Sequence, residues 1–227
     1  MKIVFLLMVS LLGITDCEAQ DKNNNNKTNK NDMIVEAVKT NKTETVKTLL
    51  KEGASVESRD AENHTLLLIA THQNALEMAK ILVEAGANVN TQDSIKDSPF
   101  LYAGARGHLE LVKLYLSNEA DFTVFNRYGG SALIPAAEKG HVEVVRLLSS
   151  TKDFPINHVN NLGWTALMEA VVLGTGGKVH TEIVQILVDA GCDITIPDFD
   201  GVTALTHAKN RGFKEIAAIL EAAAKRN

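Results

Sequence analysis

Residues 171–182, VVLGTGGKVHTE, contain three glycines followed by Lys178 and His180. Glycine-rich loops that end in a lysine can cradle phosphate groups with their backbone N–H groups. The phosphate-loop pattern, however, requires glycine at 172 and serine or threonine at 179, where Val172 and Val179 stand. A dinucleotide-binding pattern also requires glycine at position 179. We therefore predict an inserted surface loop, with partner binding by Lys178 and His180 as the alternative interpretation.

The other chemistry-bearing side chains lack the spacing of a catalytic or metal site. His108 and His141 occupy a recurring Gly-His dipeptide, which indicates a structural role, and the remaining histidines are scattered. Zinc sites need Cys or His ligands at defined spacings, and a nucleophilic cysteine needs a nearby base. Neither is suggested around Cys192. The sequence therefore predicts no active site, no metal and no cofactor.

The composition is that of a globular protein with an apolar core. The chain has 227 residues, of which 45% are hydrophobic and 22% charged, and a formal net charge of −5. Its basic residues are dispersed, whereas nucleic-acid binding depends on clustered Lys and Arg that neutralise phosphates. Nucleic acid is therefore not an expected partner.

The N-terminus has the proportions of an export signal. Lys2 precedes a short apolar run, and cleavage after Ala19 would make residues 1–19 a signal peptide. In the alternative interpretation a lipoprotein signal extends to Asp16 and Cys17 is lipidated. Both place the chain outside the cytoplasm, in the periplasm or attached to the envelope, with secretion as a further alternative. No later segment is long and apolar enough to span a membrane.

Residues 20–31, QDKNNNNKTNKN, are rich in asparagine and contain no apolar residue. Such a segment cannot bury enough surface to offset its own ordering entropy. We expect a disordered tether there, followed by a folded domain over residues 32–227.

A pattern of glutamate followed by aliphatic residues recurs along this domain. The aliphatic positions lie one, two, five and six residues after the glutamate, which places them on one face of a helix. Successive glutamates are separated by 33, 33, 33, 39 and 33 residues. The pattern begins at Glu44, Glu77, Glu110, Glu143, Glu182 and Glu215.

A hydroxyl residue stands twelve residues before four of the last five glutamates, and seventeen before Glu182. Its side chain can cap the start of a first helix by accepting a backbone N–H. Pro99 suits the first position of such a helix, whereas Pro135 lies inside one and predicts an irregularity. The predicted caps are Thr65, Ser98, Ser131, Thr165 and Thr203.

These motifs resemble the ankyrin repeat. Stretches such as TALMEA, RGH and EAGANVN are similar to its T-P-L-H-x-A, G-H and G-A-x-x-N signatures, and they cover residues 32 to about 224 as six repeats. The resemblance implies an all-α solenoid of stacked helix-turn-helix units with short β-hairpin connections. The 39-residue step corresponds to five residues inserted in repeat five and one inserted before it.

Ankyrin-repeat proteins generally bind proteins through their hairpin tips and inner helices. By that resemblance, aromatic and arginine residues at the tips are candidate contacts, because these types dominate interface energetics. For Trp164, packing against its own hairpin is the competing interpretation. The tip candidates are Arg127, Tyr128, Leu162, Trp164, Phe199 and Asp200.

The expected function is therefore a non-catalytic protein-protein interaction module, a monomer that acts outside the cytoplasm on a protein partner. Two specialised alternatives are a secreted host-directed effector and an immunity-type inhibitor of a toxin or enzyme. An enzyme is the least favoured interpretation, since it needs a site that the sequence does not display.

Overall fold

The computed structural model describes residues 29–226. Within that range the chain forms twelve helices, arranged as six antiparallel pairs that we number repeats one to six. Their bounds are 29–39 for α1, Thr43–Lys51 for α2, Leu66–His72 for α3, Leu76–Glu84 for α4, Pro99–Arg106 for α5, Leu109–Leu116 for α6, Leu133–Glu138 for α7, Val142–Ser150 for α8, Ala166–Val172 for α9, Lys178–Asp189 for α10, Ala204–Asn210 for α11 and Lys214–Ala224 for α12.

The pairs stack into two layers, as the solenoid prediction requires. First helices pack against first helices, with α3, α5, α7, α9 and α11 in sequence, and second helices pack in the same order from α2 to α12. We call the first helices inner and the second helices outer. Each repeat therefore buries its apolar side against its neighbours, and a single repeat has no core of its own.

The predicted glutamate pattern accounts for the core of the outer helices. In α4 the residues one, two and five positions after Glu77 are the buried Met78, Ala79 and Leu82. The residue six positions after it, Val83, is half-buried. Together with apolar residues of the inner helices, these side chains form one continuous core from repeat one to repeat six.

Four of the five predicted caps are confirmed. Thr65 Oγ1 accepts a hydrogen bond from Leu68 N at 3.1 Å, and Thr165 Oγ1 accepts one from Met168 N at 3.2 Å. Ser98 and Thr203 make the equivalent bonds to Leu101 N and Thr206 N. Pro99 stands at the start of its helix, as predicted.

The predicted cap at Ser131 is wrong. Residue Ala132 precedes α7, and the buried Ser131 Oγ finds no hydrogen-bond partner within residues 29–226. In the other four repeats the residue four positions after the cap donates its N–H to the cap carbonyl, as Glu169 does to Thr165 at 2.9 Å. Pro135 occupies this position in repeat four and has no N–H to donate. The first turn therefore forms one residue later.

The connections between repeats are tight turns with little strand structure. Among residues 29–226, β pairing is limited to one bridge, between Arg59 and Thr65. An Asp or Asn closes each turn, because its Oδ1 accepts backbone N–H groups from the residues two and four positions later. Asn160 does this for Leu162 and Trp164 at 2.9 and 3.0 Å. The turn tips are therefore held rigidly by local hydrogen bonds.

The predicted tether ends earlier than residue 31. Residues 29–31 belong to α1, where Asn31 Oδ1 accepts the N–H of Ser55 at 2.9 Å. Lys30 Nζ lies 3.3 Å from Glu52 Oε2. These contacts compensate for the missing apolar residues, so the folded domain begins by residue 29. The predicted signal, Cys17 and the rest of the tether lie outside the described residues.

Candidate functional site

Part of the inserted stretch in repeat five is helical. The chain leaves α9 after Val172, forms a loop over residues 173–177 and enters α10 at Lys178. This outer helix has 12 residues, whereas α4 and α8 have 9 each. The prediction of an inserted loop therefore holds for residues 173–177, and the remainder extends α10 by about one turn.

Close packing explains the glycines of this loop. A Cβ at Gly174 would collide with the carbonyl oxygen of Ala170 and with the ring of His180. Gly176 has a left-handed backbone, with φ of 70°, and a Cβ there would collide with the ring of Phe213. Both positions require glycine because neighbouring groups lie against the backbone. The loop is thus fitted to repeat six and is not shaped around a phosphate.

His180 has a structural position, contrary to its candidacy as a binding residue. Only 8% of the residue is exposed, and its Nε2 donates to the carbonyl oxygen of Glu138 at 2.9 Å. One repeat earlier, the ring of His141 lies against Gly107 of repeat three. Burial lowers the pKa of His141. His180 therefore links repeats four and five, while Lys178 is exposed at the start of α10.

Four apolar side chains are exposed at the turn tips, and the first of them, Ile95, is 50% exposed. Tyr128, Leu162 and Phe199 have exposed fractions of 53%, 50% and 77%. The Phe199 ring lies directly against Gly163, in the preceding tip. Trp164 is half-buried and packs against the core, so it lies behind the tips.

The charged tip candidates lie beside this apolar row. Arg127 Cζ is 5.1 Å from the centroid of the Tyr128 ring, and Arg127 Nη1 is 3.7 Å from Asp97 Oδ2. Asp200 is exposed next to Phe199. The structure thus brings Arg127 and Tyr128 together in one tip, and Phe199 and Asp200 in another.

Two clefts lie between the tips and the inner helices, and Tyr128 contributes to both. We call the surface that they share with the tips the inner face. The first cleft, between repeats three and four, has a volume of about 340 Å³. We name it the basic cleft, because three cationic side chains line it and outnumber its two carboxylates. Its lining comprises Asp97, Tyr102, Ala105, Arg106, Asn126, Arg127, Tyr128, Pro135, Glu138 and Lys139.

The second cleft, between repeats four and five, has a volume of about 360 Å³. We name it the acidic cleft, because two carboxyl groups line it and, among the described residues, its lining includes no Lys, Arg or His. Most of the remaining lining is apolar. The lining residues are Asn126, Tyr128, Gly130, Ile134, Pro135, Glu138, Asn160, Leu162, Glu169 and Leu173.

Glu169 is the most unusual side chain of the inner face. It is 5% exposed, and its Oε1 accepts a hydrogen bond from Asn160 Nδ2 at 2.9 Å. Burial, together with the nearby Glu138 carboxylate, raises the pKa of Glu169 to about 7. No sequence motif singles out this residue. The position of Glu169 within its repeat could have indicated its role. Glu169 lies four residues after its cap, and the residues at the same position of repeats three and four, Tyr102 and Pro135, also line the clefts.

Other titratable groups have structural surroundings. Cys192 is half-buried, and burial raises the pKa of its thiol to about 12, which keeps it protonated and unreactive at neutral pH. Asp60, Glu62 and His64 place their ligand atoms within 4.8 Å of one another, as a metal site would require. However, Lys39 Nζ already lies 3.2 Å from Asp60 Oδ2. We therefore interpret this group as an ion-pair network.

Across residues 29–226, every helix is too short or too polar to cross a lipid bilayer.

Comparisons with known proteins agree with this architecture. A family model described as "Ankyrin repeats (3 copies)" matches residues 2–93 and 100–198. Among curated proteins, "Putative ankyrin repeat protein YahD" of Escherichia coli K12 is 46% identical over 68 residues, which are 30% of this chain and 34% of YahD. The human "NAD-capped RNA hydrolase NUDT12" is 43% identical over 68 residues, only 14% of its length. The chain thus spans about a third or less of these relatives.

Solved structures match over much more of the chain. An ankyrin repeat domain from Acinetobacter baumannii AYE is 45% identical, covers 84% of this chain and 97% of its own, and has a TM-score of 0.82. The ankyrin repeat protein EF0377 is 43% identical, covers 83% and 96%, and has a TM-score of 0.80. Proteins of this family and fold are typically non-catalytic interaction modules. With six stacked helix pairs, a matching family model and these neighbours, the chain belongs to the ankyrin repeat family.

Proposed function

We propose that the protein is a non-catalytic module that binds a protein partner through its inner face, as a monomer and outside the cytoplasm. The carrying observation is the row of exposed apolar tips, Tyr128, Leu162 and Phe199, beside two clefts. Exposed apolar groups that form one surface mark contact sites in soluble proteins. The tips are already fixed by their turns, which limits the entropy lost on binding.

Affinity capture from the envelope fraction of the source cell tests this proposal. The bait is compared with a Tyr128→Ala, Leu162→Ala, Phe199→Ala variant, and with a control variant that removes the exposed apolar Met33 and Val179 elsewhere. Circular dichroism first verifies that both variants keep their helices. We expect one partner to be retained by the parent and the control and lost by the tip variant. Equal retention by all three would contradict binding through the tips.

The identity of the captured protein distinguishes the specialised roles. Tight stoichiometric binding to one toxin or enzyme, with loss of its activity, would identify an immunity-type inhibitor. Recovery of the chain from culture medium or host cells would identify a host-directed effector. Turnover of a substrate that a cleft mutation abolishes would instead identify an enzyme and contradict the non-catalytic role.

Export is proposed from the N-terminal sequence, with its short apolar run after Lys2. N-terminal sequencing of the protein from the source cell distinguishes the two forms of export. A chain that starts at Gln20 supports the signal peptide, and a lipid-modified Cys17 supports the anchor. A chain that retains residues 1–19 in the cytoplasm would contradict both.

A further inference from the structure

We propose that the acidic cleft receives a lysine or arginine side chain of the protein partner, and that Glu169 is the group that pairs with it. This inference rests on the proposed function and adds the chemistry of the contact. It is carried by three observations: the buried carboxyl group of Glu169, the apolar walls around it and the charge of the neighbouring cleft.

Glu169 has unused capacity for a ligand. Asn160 occupies its Oε1, whereas its Oε2 accepts no hydrogen bond from residues 29–226. A carboxylate that is 95% buried loses most of its hydration, and a directly paired cation compensates that loss. Because Glu138 lines the same cleft, a cation placed there meets two carboxyl groups.

The walls of the cleft suit the stem of a long basic side chain. Lysine and arginine carry an aliphatic stem that packs on apolar surface while the charged end reaches a polar group. Tyr128, Leu162 and Leu173 supply such surface, and each is about half exposed. The volume of about 360 Å³ is at the lower end for ligand pockets and is consistent with one inserted side chain.

The basic cleft restricts where a basic residue of the partner can bind. Across Tyr128, the side chains of Arg106, Arg127 and Lys139 would repel a second cation. If the partner segment shifted by one repeat, its basic residue would lie in the basic cleft, which disfavours that register. A neutral or acidic residue fits the basic cleft better. Such repulsion against the wrong register contributes to specificity.

Peptide selection tests the inference. A library of random twelve-residue peptides is displayed and selected on the purified protein. Peptides that fail to bind the Tyr128→Ala, Leu162→Ala variant are those that occupy the inner face. One of these peptides is then synthesised in two forms, with its basic residue and with norleucine in place of that residue. Calorimetry measures the affinity of both forms for the parent protein, for Glu169→Gln and for Glu215→Gln. The last is a control with the same charge change on an exposed outer-helix residue.

We expect inner-face peptides to share a lysine or arginine, and norleucine to weaken binding to the parent and to Glu215→Gln at least tenfold. On Glu169→Gln, norleucine should weaken binding much less than on the parent, because only Glu138 remains to attract the cation. Inner-face peptides without a basic residue, or an undiminished preference for lysine on Glu169→Gln, would overturn the inference and leave the proposed function intact. Failure to obtain any peptide that needs Tyr128 and Leu162 would count against both.

Discussion

The basic and acidic clefts are built from equivalent positions of successive repeats, yet their charges are opposite. Four and eight residues after the cap, repeat three has Tyr102 and Arg106, whereas repeat five has Glu169 and Leu173. Both clefts lie on stacked inner helices, although the first turn of α7 is shifted and repeat five carries the inserted loop. These two positions, together with Arg127 and Lys139 of the basic cleft, set the charge of the inner face on a shared solenoid scaffold.

The largest expected effect concerns the buried carboxyl group that distinguishes the acidic cleft. The pKa of Glu169, raised from 4.5 to about 7, means that the folded state holds this proton more tightly than the unfolded state. Its contribution to stability is therefore complete below pH 4.5 and is lost as the pH rises through 7. A displacement of this size corresponds to on the order of 3 kcal/mol at pH 8.

Glu169→Gln should remove that pH dependence, since glutamine stays neutral and its oxygen can still accept from Asn160. Urea unfolding, followed by the fluorescence of the sole tryptophan, Trp164, measures the effect. The variant should gain stability over the parent at pH 8 and little at pH 5. An equal difference at both pH values would contradict an ionisable buried Glu169.

Pro135 forms a wall of both clefts, so replacing it probes the part that they share. Pro135→Ala supplies the missing N–H to the carbonyl of Ser131 and allows the hydroxyl of Ser131 to cap α7. We expect a gain of about 1–2 kcal/mol in the free energy of unfolding, at any pH between 5 and 8. The control is Ala166→Pro in repeat five, which tests proline at the first helical position and should change stability by about 1 kcal/mol or less. Loss of stability in Pro135→Ala would contradict the account of the shifted first turn.

Leu173→Lys places a cation in the acidic cleft, as Lys139 does one repeat earlier. A nearby cation favours the ionised carboxylate, so the pKa of Glu169 should fall and the loss of stability above pH 5 should shrink. Because Leu173 is 48% exposed, solvent limits the effect to about 1 kcal/mol or less. NMR titration of the Glu169 carboxyl carbon provides the direct readout, with Met33→Lys as the distant control, because Met33 lies in repeat one and is as exposed as Leu173. An unchanged titration would show that position 173 does not act on Glu169.

The smallest effect is expected in the basic cleft, where the charges are solvated. Arg106 Nε donates to Tyr102 Oη at 3.0 Å, and Arg106 Cζ lies 5.2 Å from that ring's centroid. Exposed contacts of this kind contribute about 0.5–1 kcal/mol. Arg106→Leu should therefore lower the free energy of unfolding by no more than that and leave its pH dependence unchanged. A larger loss, in the same urea assay, would mean that the basic cleft is structural.

The periodic parts of the molecule could be predicted because every repeat must bury one apolar helix face and cap the start of its inner helix. The pattern after Glu77 identifies the buried Met78, Ala79 and Leu82, and four of five hydroxyl caps form as expected. The exposure of Tyr128 and Phe199 also follows from their position at turn tips.

The exceptions depend on contacts between repeats, which periodicity does not report. His180 resembles an exposed loop residue in sequence, but the extra turn of α10 directs it towards the Glu138 carbonyl. Glu169 resembles a solvated residue, but Glu138 of repeat four and Leu173 of the inserted loop line the same cleft. In both cases an insertion or a neighbouring repeat sets the environment of the side chain.

Site-specific photo-crosslinking in the source cell tests most directly whether the inner face binds a partner. A photoreactive phenylalanine derivative replaces Phe199 or Leu162 on the inner face, or Met33 or Val179 at exposed positions elsewhere. The account predicts one discrete protein adduct from positions 199 and 162 and none from 33 and 179. Adducts from positions 33 or 179, with none from the inner face, would contradict it.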